Sequence, residues 1–239
     1  MIQSINNKKI KEYAKLIQKK ERDKTNLFLV EGEHMVKEAF NAHALQELFI
    51  LEGLECPIEF NYETVTQQVL NKLSNQNSNS KMIGLCKKLN LKPEKEENIL
   101  LLDNVQDPGN VGTIIRTALA LNYKGIILSP DSAYPFSSKV IQSSKGAIFK
   151  LPIMIKTIQE FENLKDYDLI GTLLNGEPLN EAQRNGKPII LVFGNEGHGI
   201  REEVQQLLNK AYLIPMNEID SLNVGIAAGI FMYIFRRKK

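Results

Sequence analysis

The chain has 239 residues, of which 43% are hydrophobic and 24% charged, and its formal net charge is +2. This length accommodates one large domain or two smaller ones, and the composition is typical of globular proteins. The two cysteines, Cys56 and Cys86, are too few and too far apart for a disulfide framework or a metal site. The sequence shows neither a signal-peptide pattern nor an apolar run long enough to cross a bilayer, which predicts a cytoplasmic protein without a membrane partner.

Basic residues cluster near the N-terminus. Between Lys8 and Lys24 the chain carries eight basic residues against three acidic ones, and residues 4–22 have the spacing of an amphipathic helix. Such clustering favours a polyanionic partner, and a solvated helix face explains the charge alone equally well. The predicted anion contacts are Lys8, Lys9, Lys11, Lys15, Lys19, Lys20 and Arg22.

Strands and helices alternate after this basic segment. Strands are predicted at residues 28–30, 48–51 and 82–86, and helices at residues 35–40 and 65–73. This alternation predicts a small α/β domain. Residues 92–98 are charged and contain Pro93, which predicts a linker between a domain at residues 1–91 and another at residues 99–239.

The second half of the chain has longer apolar runs, which are typical of strands covered on both faces. Strands are predicted at residues 99–102, 125–128, 151–153, 169–172, 188–193 and 213–214, and helices at residues 112–121, 139–145, 158–164 and 201–208. This order predicts a parallel sheet with helices on both faces. Residues 222–235 are apolar on every face of a helix, which predicts a deeply buried helix at the chain end.

Three loops follow predicted strands, at the edge where open α/β sheets bind ligands. In the first, residues 103–116, a proline and two glycines shape a tight turn, and Asn110 and Arg116 flank the start of the next helix. A helix cap and a solvated arginine are the ordinary alternative. Because Arg116 lies among apolar neighbours, we expect it to have a dedicated anionic partner.

The second loop, residues 193–200, contains three glycines that allow a backbone to approach a ligand closely. It matches neither the dinucleotide-binding nor the Walker pattern. Glu196 could bind backbone amides of the loop, and His198 is given no role.

The third loop, residues 214–224, carries Ser221 and Asn223 beside apolar residues. Small polar side chains beside an apolar wall suit an adenosine-sized ligand. An ordinary strand-to-helix connection is the alternative.

The combination of DPGNVGTIIRTA, FGNEGHGI, and IPM with SLNVGIAAGI, in this order, resembles the SpoU (TrmH-type) family of RNA ribose 2′-O-methyltransferases in the SPOUT superfamily. The resemblance covers residues 99–235, and residues 28–32 are similar to the opening strand and turn of the substrate-binding domain in two-domain members. It implies a C-terminal α/β trefoil knot, beside a smaller N-terminal α/β RNA-binding domain. It also implies a homodimer through the C-terminal domain, with the active site near the interface.

The family motifs imply a role for particular residues of this chain. The implied catalytic residues are Asn110, Arg116, Glu196, Ser221 and Asn223. The implied contacts to the cofactor, S-adenosyl-L-methionine, are Gly194, Ile214, Met216 and Leu222. RNA binding falls to the N-terminal basic residues, no metal is required, and ribosomal RNA is the expected substrate because the extra domain resembles that of rRNA-modifying members.

Three other functions stay open at this point. They are a tRNA ribose methyltransferase, a non-catalytic RNA-binding or ribosome-assembly protein on the same fold, and a dinucleotide enzyme. The last is disfavoured because no G-x-G-x-x-G follows a predicted strand.

The resemblance nominates Arg116 to act on the ribose hydroxyl. Guanidinium groups stay protonated near neutral pH and are poor proton acceptors. Either Arg116 is deprotonated transiently with help from a substrate phosphate, or it stabilises the developing alkoxide while another group takes the proton. We favour electrostatic stabilisation with phosphate positioning, and we expect Glu196 to orient Arg116 or Asn110.

Overall fold

The computed structural model describes residues 1–74, 79–94, 96–161, 164, 166–182 and 186–237. The chain divides into two compact units by its internal contacts. Unit 1 comprises Met1–Asn90 and Phe136–Lys150, and unit 2 comprises Leu91–Pro135 and Leu151–Lys239. The sequence assigned residues 136–150 to the domain that begins at residue 99, and their contacts group them with unit 1 instead.

Unit 1 is built on a four-stranded mixed sheet in the order β1-β4-β2-β3. The strands are β1 (Leu27–Glu31), β2 (Leu45–Leu51), β3 (Glu63–Val65) and β4 (Met82–Lys87). The helices are α1 (Lys8–Ala14), α2 (Lys19–Thr25), α3 (Glu33–Asn41), α4 (Gln67–Leu73) and α6 (Ser138–Ser144). Buried apolar residues of α1, α4 and the sheet form one core cluster, as the predicted α/β character requires.

The basic N-terminal segment forms two short helices, so the prediction of one continuous helix is wrong. A 3₁₀ turn, Lys15–Ile17, separates α1 from α2. The buried Arg22 side chain explains the break, because its Nη1 donates to the carbonyls of Leu16 at 2.7 Å and Ile17 at 2.8 Å. These carbonyls lie at a helix end, where they need partners from outside the helix.

Residues 136–150 belong to unit 1 because their aromatic side chains complete its core. The rings of Phe136 and Phe149 lie 5.1 and 5.9 Å from the ring of Phe28, which is buried in β1. Gln142 Nε2 also donates to the carbonyl of Glu31 at 3.0 Å. The position of this segment in the sequence, within the second half of the chain, therefore does not decide where it packs.

Unit 2 contains a six-stranded sheet in the order β10-β8-β9-β5-β6-β7, in which every paired neighbour is parallel. The strands are β5 (Ile99–Leu102), β6 (Ile126–Leu128), β7 (Ile153–Ile155), β8 (Asp168–Pro178), β9 (Ile189–Phe193) and β10 (Lys210–Leu213). The helices are α5 (Pro108–Ala120), α7 (Ile158–Phe161), α8 (Glu202–Gln205) and α9 (Val224–Phe235). The predicted parallel sheet is confirmed, with the wholly buried β5 and β9 at its centre.

The C-terminal helix α9 is buried along one face only. Phe231, Met232 and Phe235 enter the core, and Tyr123 Oη donates to the Met232 carbonyl at 3.2 Å. Ile226 and Tyr233 are each 58% exposed, so the prediction of burial on every face is wrong for the single chain. Across the described ranges, no helix is long and apolar enough to cross a membrane.

The chain doubles back after β10, which lies at the edge of the sheet. From there it returns to the centre, where α9 packs against α5 and β9. This return brings the loop before α9 beside the loops that follow β5 and β9. The threading of the chain end through an earlier loop stays a prediction of the family resemblance.

Candidate active site

A cleft of about 630 Å³ lies where the loops after β9 and β10 meet in unit 2. Its apolar lining comes from Phe193, Leu213, Ile214, Leu222 and Phe231. Its carboxylate and imidazole side chains are Glu196, His198 and Asp220. All four residues predicted to contact the cofactor, Gly194, Ile214, Met216 and Leu222, line this cleft, and so does Ser221.

The glycine-rich loop, residues 194–200, is a closed turn. Asn195 and Gly199 exchange backbone N–H to C=O hydrogen bonds of 2.9 Å, and Asn195 Oδ1 accepts the N–H of Gly197 at 2.9 Å. A side chain at Gly194 has no room, because its Cβ would lie 2.1 Å from the carbonyl carbon of Gly199. Hydrogen bonds within the loop and the close approach of its backbone at Gly194 therefore contribute to its shape.

Three of the predicted catalytic residues form one hydrogen-bonded chain. Asn110 Nδ2 donates to Glu196 Oε1 at 2.9 Å, and Asn223 Nδ2 donates to Asn110 Oδ1 at 3.0 Å. The Glu196 carboxylate can only accept from the Asn110 NH₂ group, and Asn223 Nδ2 can only donate to the Asn110 carbonyl oxygen. Together they fix which way the Asn110 amide faces. Glu196 contacts Asn110, and among the described residues no hydrogen bond or ion pair joins it to Arg116.

Asn110 does not cap its own helix, which removes the ordinary alternative for this residue. The cap of α5 is Asp107, whose Oδ1 accepts the N–H of Asn110 at 2.8 Å. Because Asp107 caps the helix, the Asn110 side chain is available for its hydrogen bonds with Glu196 and Asn223. An acidic residue immediately before a proline that opens a helix was the sequence signal for this cap.

Asn223 has two functions in the structure. Its Oδ1 caps α9 by accepting the N–H groups of Gly225 at 2.9 Å and Ile226 at 3.4 Å. Its Nδ2 is the group that reaches Asn110. The start of α9 therefore sets the position of the polar chain.

Arg116 lies on the exposed side of α5, and the anionic partner expected for it is not found in the single chain. Within the described ranges, no hydrogen bond or ion pair reaches its guanidinium. Ser221 is also exposed and, in the same ranges, forms no side-chain hydrogen bond. Among the described residues, Arg116 and Ser221 are thus not part of the hydrogen-bonded chain of Glu196, Asn110 and Asn223.

Two of the predicted RNA contacts in unit 1 are engaged internally. Lys9 Nζ lies 2.6 Å from Glu47 Oε2 and 2.5 Å from Glu63 Oε1. Burial lowers the pKa of Lys9, but its hydrogen bonds to Glu47 and Glu63 outweigh that effect and raise it. With Arg22 buried as well, the exposed cations of this segment are Lys8, Lys11, Lys15, Lys19, Lys20 and Lys24.

The residues of the cleft fit S-adenosyl-L-methionine. Its volume lies within the range of about 300–1,000 Å³ found for ligand pockets, and its apolar wall suits a purine base. The carboxylates of Glu196 and Asp220 suit a positively charged ligand group. Groups of three or more His, Cys, Asp or Glu that could hold a metal ion do not occur in the part of the chain that the structure describes.

The chain is similar over nearly its whole length to known RNA methyltransferases. The 23S rRNA (guanosine(2553)-2′-O)-methyltransferase RlmP of Bacillus subtilis is 32% identical to it, and the match covers 98% of each chain. The crystal structure of AdoMet-bound rRNA methyltransferase from Sinorhizobium meliloti has a TM-score of 0.85 at 27% identity, covering 98% of this chain and 95% of that one. A putative RNA methyltransferase of the TrmH family from Porphyromonas gingivalis has a TM-score of 0.85 at 30% identity, covering 98% of each chain.

Two protein-family models match the chain, one in its N-terminal part and the other in its C-terminal part. The MRM3-like substrate binding domain matches residues 7–84, and the SpoU rRNA Methylase family matches residues 97–233. The family resemblance carried by the three loop motifs is confirmed. The chain belongs to the SpoU rRNA methylase family.

Proposed function

We propose that this protein transfers a methyl group from S-adenosyl-L-methionine to a ribose 2′-hydroxyl of ribosomal RNA, with 23S rRNA as the substrate. The observation that carries the proposal is the Glu196–Asn110–Asn223 chain beside the glycine-rich cleft. The match to RlmP across 98% of both chains supports the choice of 23S rRNA. A guanosine ribose is the first target to test.

The cofactor would supply an electrophilic methyl group bonded to a positively charged sulfur. The protein must then hold the ribose hydroxyl in line and assist the loss of its proton. We assign Asn110 to orient the hydroxyl, because Glu196 and Asn223 fix its amide from both ends. Ser221 lines the cleft and is assigned to the same polar rim.

Arg116 is assigned to the RNA phosphate and to the developing alkoxide. Its guanidinium is exposed on α5, where an anion from another molecule can reach it. Arginine binds phosphate through paired N–H donors and does not readily accept a proton. It therefore acts by electrostatic stabilisation and positioning.

Transfer of labelled methyl groups tests the proposal against its alternatives. We expect incorporation into 23S rRNA from cells that lack this protein, and little incorporation into tRNA. Calorimetry should detect binding of S-adenosyl-L-methionine and not of NAD. Preferred methylation of tRNA would support the tRNA alternative, and cofactor binding without transfer to any RNA would support a non-catalytic role.

We propose that unit 1 binds RNA through the exposed lysines of its N-terminal segment, and that the protein acts in the cytoplasm. Lys8 and Lys11 are three residues apart in α1, so they project from one side, and Lys15 follows α1 as the first residue of the 3₁₀ turn. Their charges attract phosphates, whereas Lys9 and Arg22 stabilise the unit itself. Lys9 and Arg22 are therefore removed from the proposed RNA surface.

Changing Lys8, Lys11 and Lys15 together to glutamine should weaken RNA binding. Each lost phosphate contact removes about 0.7–0.9 from the magnitude of the slope of log K against log salt, so that magnitude should fall by roughly 2–3. Filter binding at several salt concentrations measures this. The matched control changes three exposed lysines elsewhere in unit 1, Lys72, Lys81 and Lys87, and an equal loss in that control would contradict the assignment.

We also propose that the protein is a homodimer through the exposed face of α9. Ile226, Ile230, Tyr233 and Ile234 recur at helical spacing on one side, and three of these four side chains are at least 43% exposed. Contiguous apolar surface of this kind marks an interaction site on a soluble protein. A second copy of this chain can cover this apolar surface with the same face of its own α9.

Replacing Tyr233 and Ile234 together with glutamate should convert the dimer to a monomer. Two buried charges without partners cost far more than the apolar contacts that they replace. Light scattering after gel filtration gives the mass directly. Ile155→Glu is the control, because Ile155 is 49% exposed on the edge strand β7. A parental protein that is monomeric at tens of micromolar would contradict the proposal.

A further inference from the structure

Asp103 fixes both ends of the glycine-rich loop. It follows β5 directly and is fully buried. Its backbone N–H donates to the carbonyl of Phe193 at 2.8 Å, immediately before the loop begins. Its carboxylate accepts Arg201 N–H at 2.9 Å and Nε–H at 2.8 Å, immediately after the loop ends, and Arg201 Nη2 donates to it as well.

The contact between Asp103 and Arg201 is strong because the carboxylate is shielded from water. A buried carboxylate is unfavourable unless it is paired and hydrogen-bonded, and here three donors of one residue satisfy it. The hydrogen bond to Asp103 also raises the pKa of Arg201 above its ordinary value. Arg201 Nη1 reaches Asp131 Oδ2 at 3.3 Å, so the loop after β6 joins the same guanidinium.

Asp103 thus anchors the loop at Phe193 and at Arg201, and between these two residues the loop contacts Asn110. Asn195 Nδ2 donates to the carbonyl of Asn104 at 2.9 Å, which adds an anchor inside the loop. Glu196, near its tip, accepts the hydrogen bond from Asn110. A shift of the loop base would therefore move both the cleft wall and the carboxylate that orients Asn110.

We propose that Asp103 and Arg201 are positioning residues, whose ion pair holds the glycine-rich loop in the shape that binds the cofactor and brings Glu196 to Asn110. The ligand named here rests on the proposed function. Neither residue lines the cleft, so both act through the loop. The sequence signals were an acid after a buried apolar strand and an arginine at the first position after the loop.

The test uses the 239-residue chain with Arg201→Gln, which removes the charge and most donors, and with Arg201→Lys, which keeps the charge. Arg201→Gln should weaken binding of S-adenosyl-L-methionine by about tenfold or more, since small displacements at such sites have large effects. Hydrogen exchange should quicken at the N–H groups of Asn195 and Gly199 and stay slow in β9. Arg201→Lys should recover part of both losses.

Glu33→Gln serves as the control, because it removes an exposed ion pair to Lys37 in unit 1 and should leave both readouts at parental values. Parental cofactor affinity and loop exchange in a folded Arg201→Gln protein would overturn the proposal. Exchange that rises equally in β5, β9 and the loop would also overturn it, because that result indicates general stability. If the parental protein itself fails to bind the cofactor, the proposed function fails, while loop exchange still decides the role of the pair.

Discussion

Arg116→Ala is expected to lower kcat by about 10²–10³-fold, the range found when one donor to a developing oxyanion is removed. The melting temperature should not change, because the guanidinium is exposed and has no hydrogen-bond or ion-pair partner in the described part of the chain. This separation of activity from stability makes Arg116 the sharpest probe of the chemistry. Single-turnover transfer to rRNA, with thermal unfolding in parallel, measures both quantities.

Two further variants show which property of Arg116 matters and whether the effect is specific to that residue. Arg116→Lys keeps the charge and loses the paired donors, so intermediate activity would indicate that charge and geometry both contribute. Lys210→Ala removes another exposed cation of unit 2, at the start of β10, and should retain parental activity. Full activity in Arg116→Ala would exclude a chemical role for this residue.

Gly194→Ala is expected to destroy the cofactor cleft. The added Cβ would lie 2.1 Å from Gly199 C and 2.2 Å from Ile200 N, both of which are backbone atoms that no rotamer change can move. Overpacking of this kind costs about 1–3 kcal/mol. Since the displaced backbone forms the cleft, cofactor affinity should fall at the same time by about tenfold or more, because small displacements at such sites have large effects.

Gly197 provides the comparison within the same loop. A Cβ at that position meets only Asn195 Oδ1 at 3.6 Å, an ordinary contact distance. Gly197→Ala should therefore keep the parental melting temperature, and calorimetric unfolding of the two variants measures the difference. Equal melting temperatures for both variants would show that the close approach at Gly194 is not required.

The central strands of the unit 2 sheet were predicted correctly from the sequence, because hydrophobic burial determines them. β5 and β9 are continuous apolar runs, and the structure buries every residue of both. The polar end of β8 was missed, because residues 173–178 pass through Asn175, Gly176 and Glu177 without a strand pattern. Pairing with β10, which no local pattern reports, extends β8 to Pro178.

The site was predicted by motif and not by geometry. Asn110 and Glu196 are separated by 86 residues, so only the resemblance to a family joined them before the structure did. The contact of Asp103 with Arg201 spans 98 residues and lay outside the motif assignments, so it was missed. The ion pairs of Lys9 could not be predicted, because its acidic partners, Glu47 and Glu63, lie in different strands.

The nucleoside product of the reaction tests the central claim most directly. Purified protein, S-adenosyl-L-methionine carrying a labelled methyl group, and 23S rRNA are incubated, and the RNA is digested for mass spectrometry of its nucleosides. The proposed function predicts that the labelled methyl group appears on the ribose of one nucleoside. It also predicts that a 2′-deoxy substitution at the mapped nucleotide abolishes the product. A label on the base, or labelling that survives the 2′-deoxy substitution, would contradict ribose 2′-O-methylation.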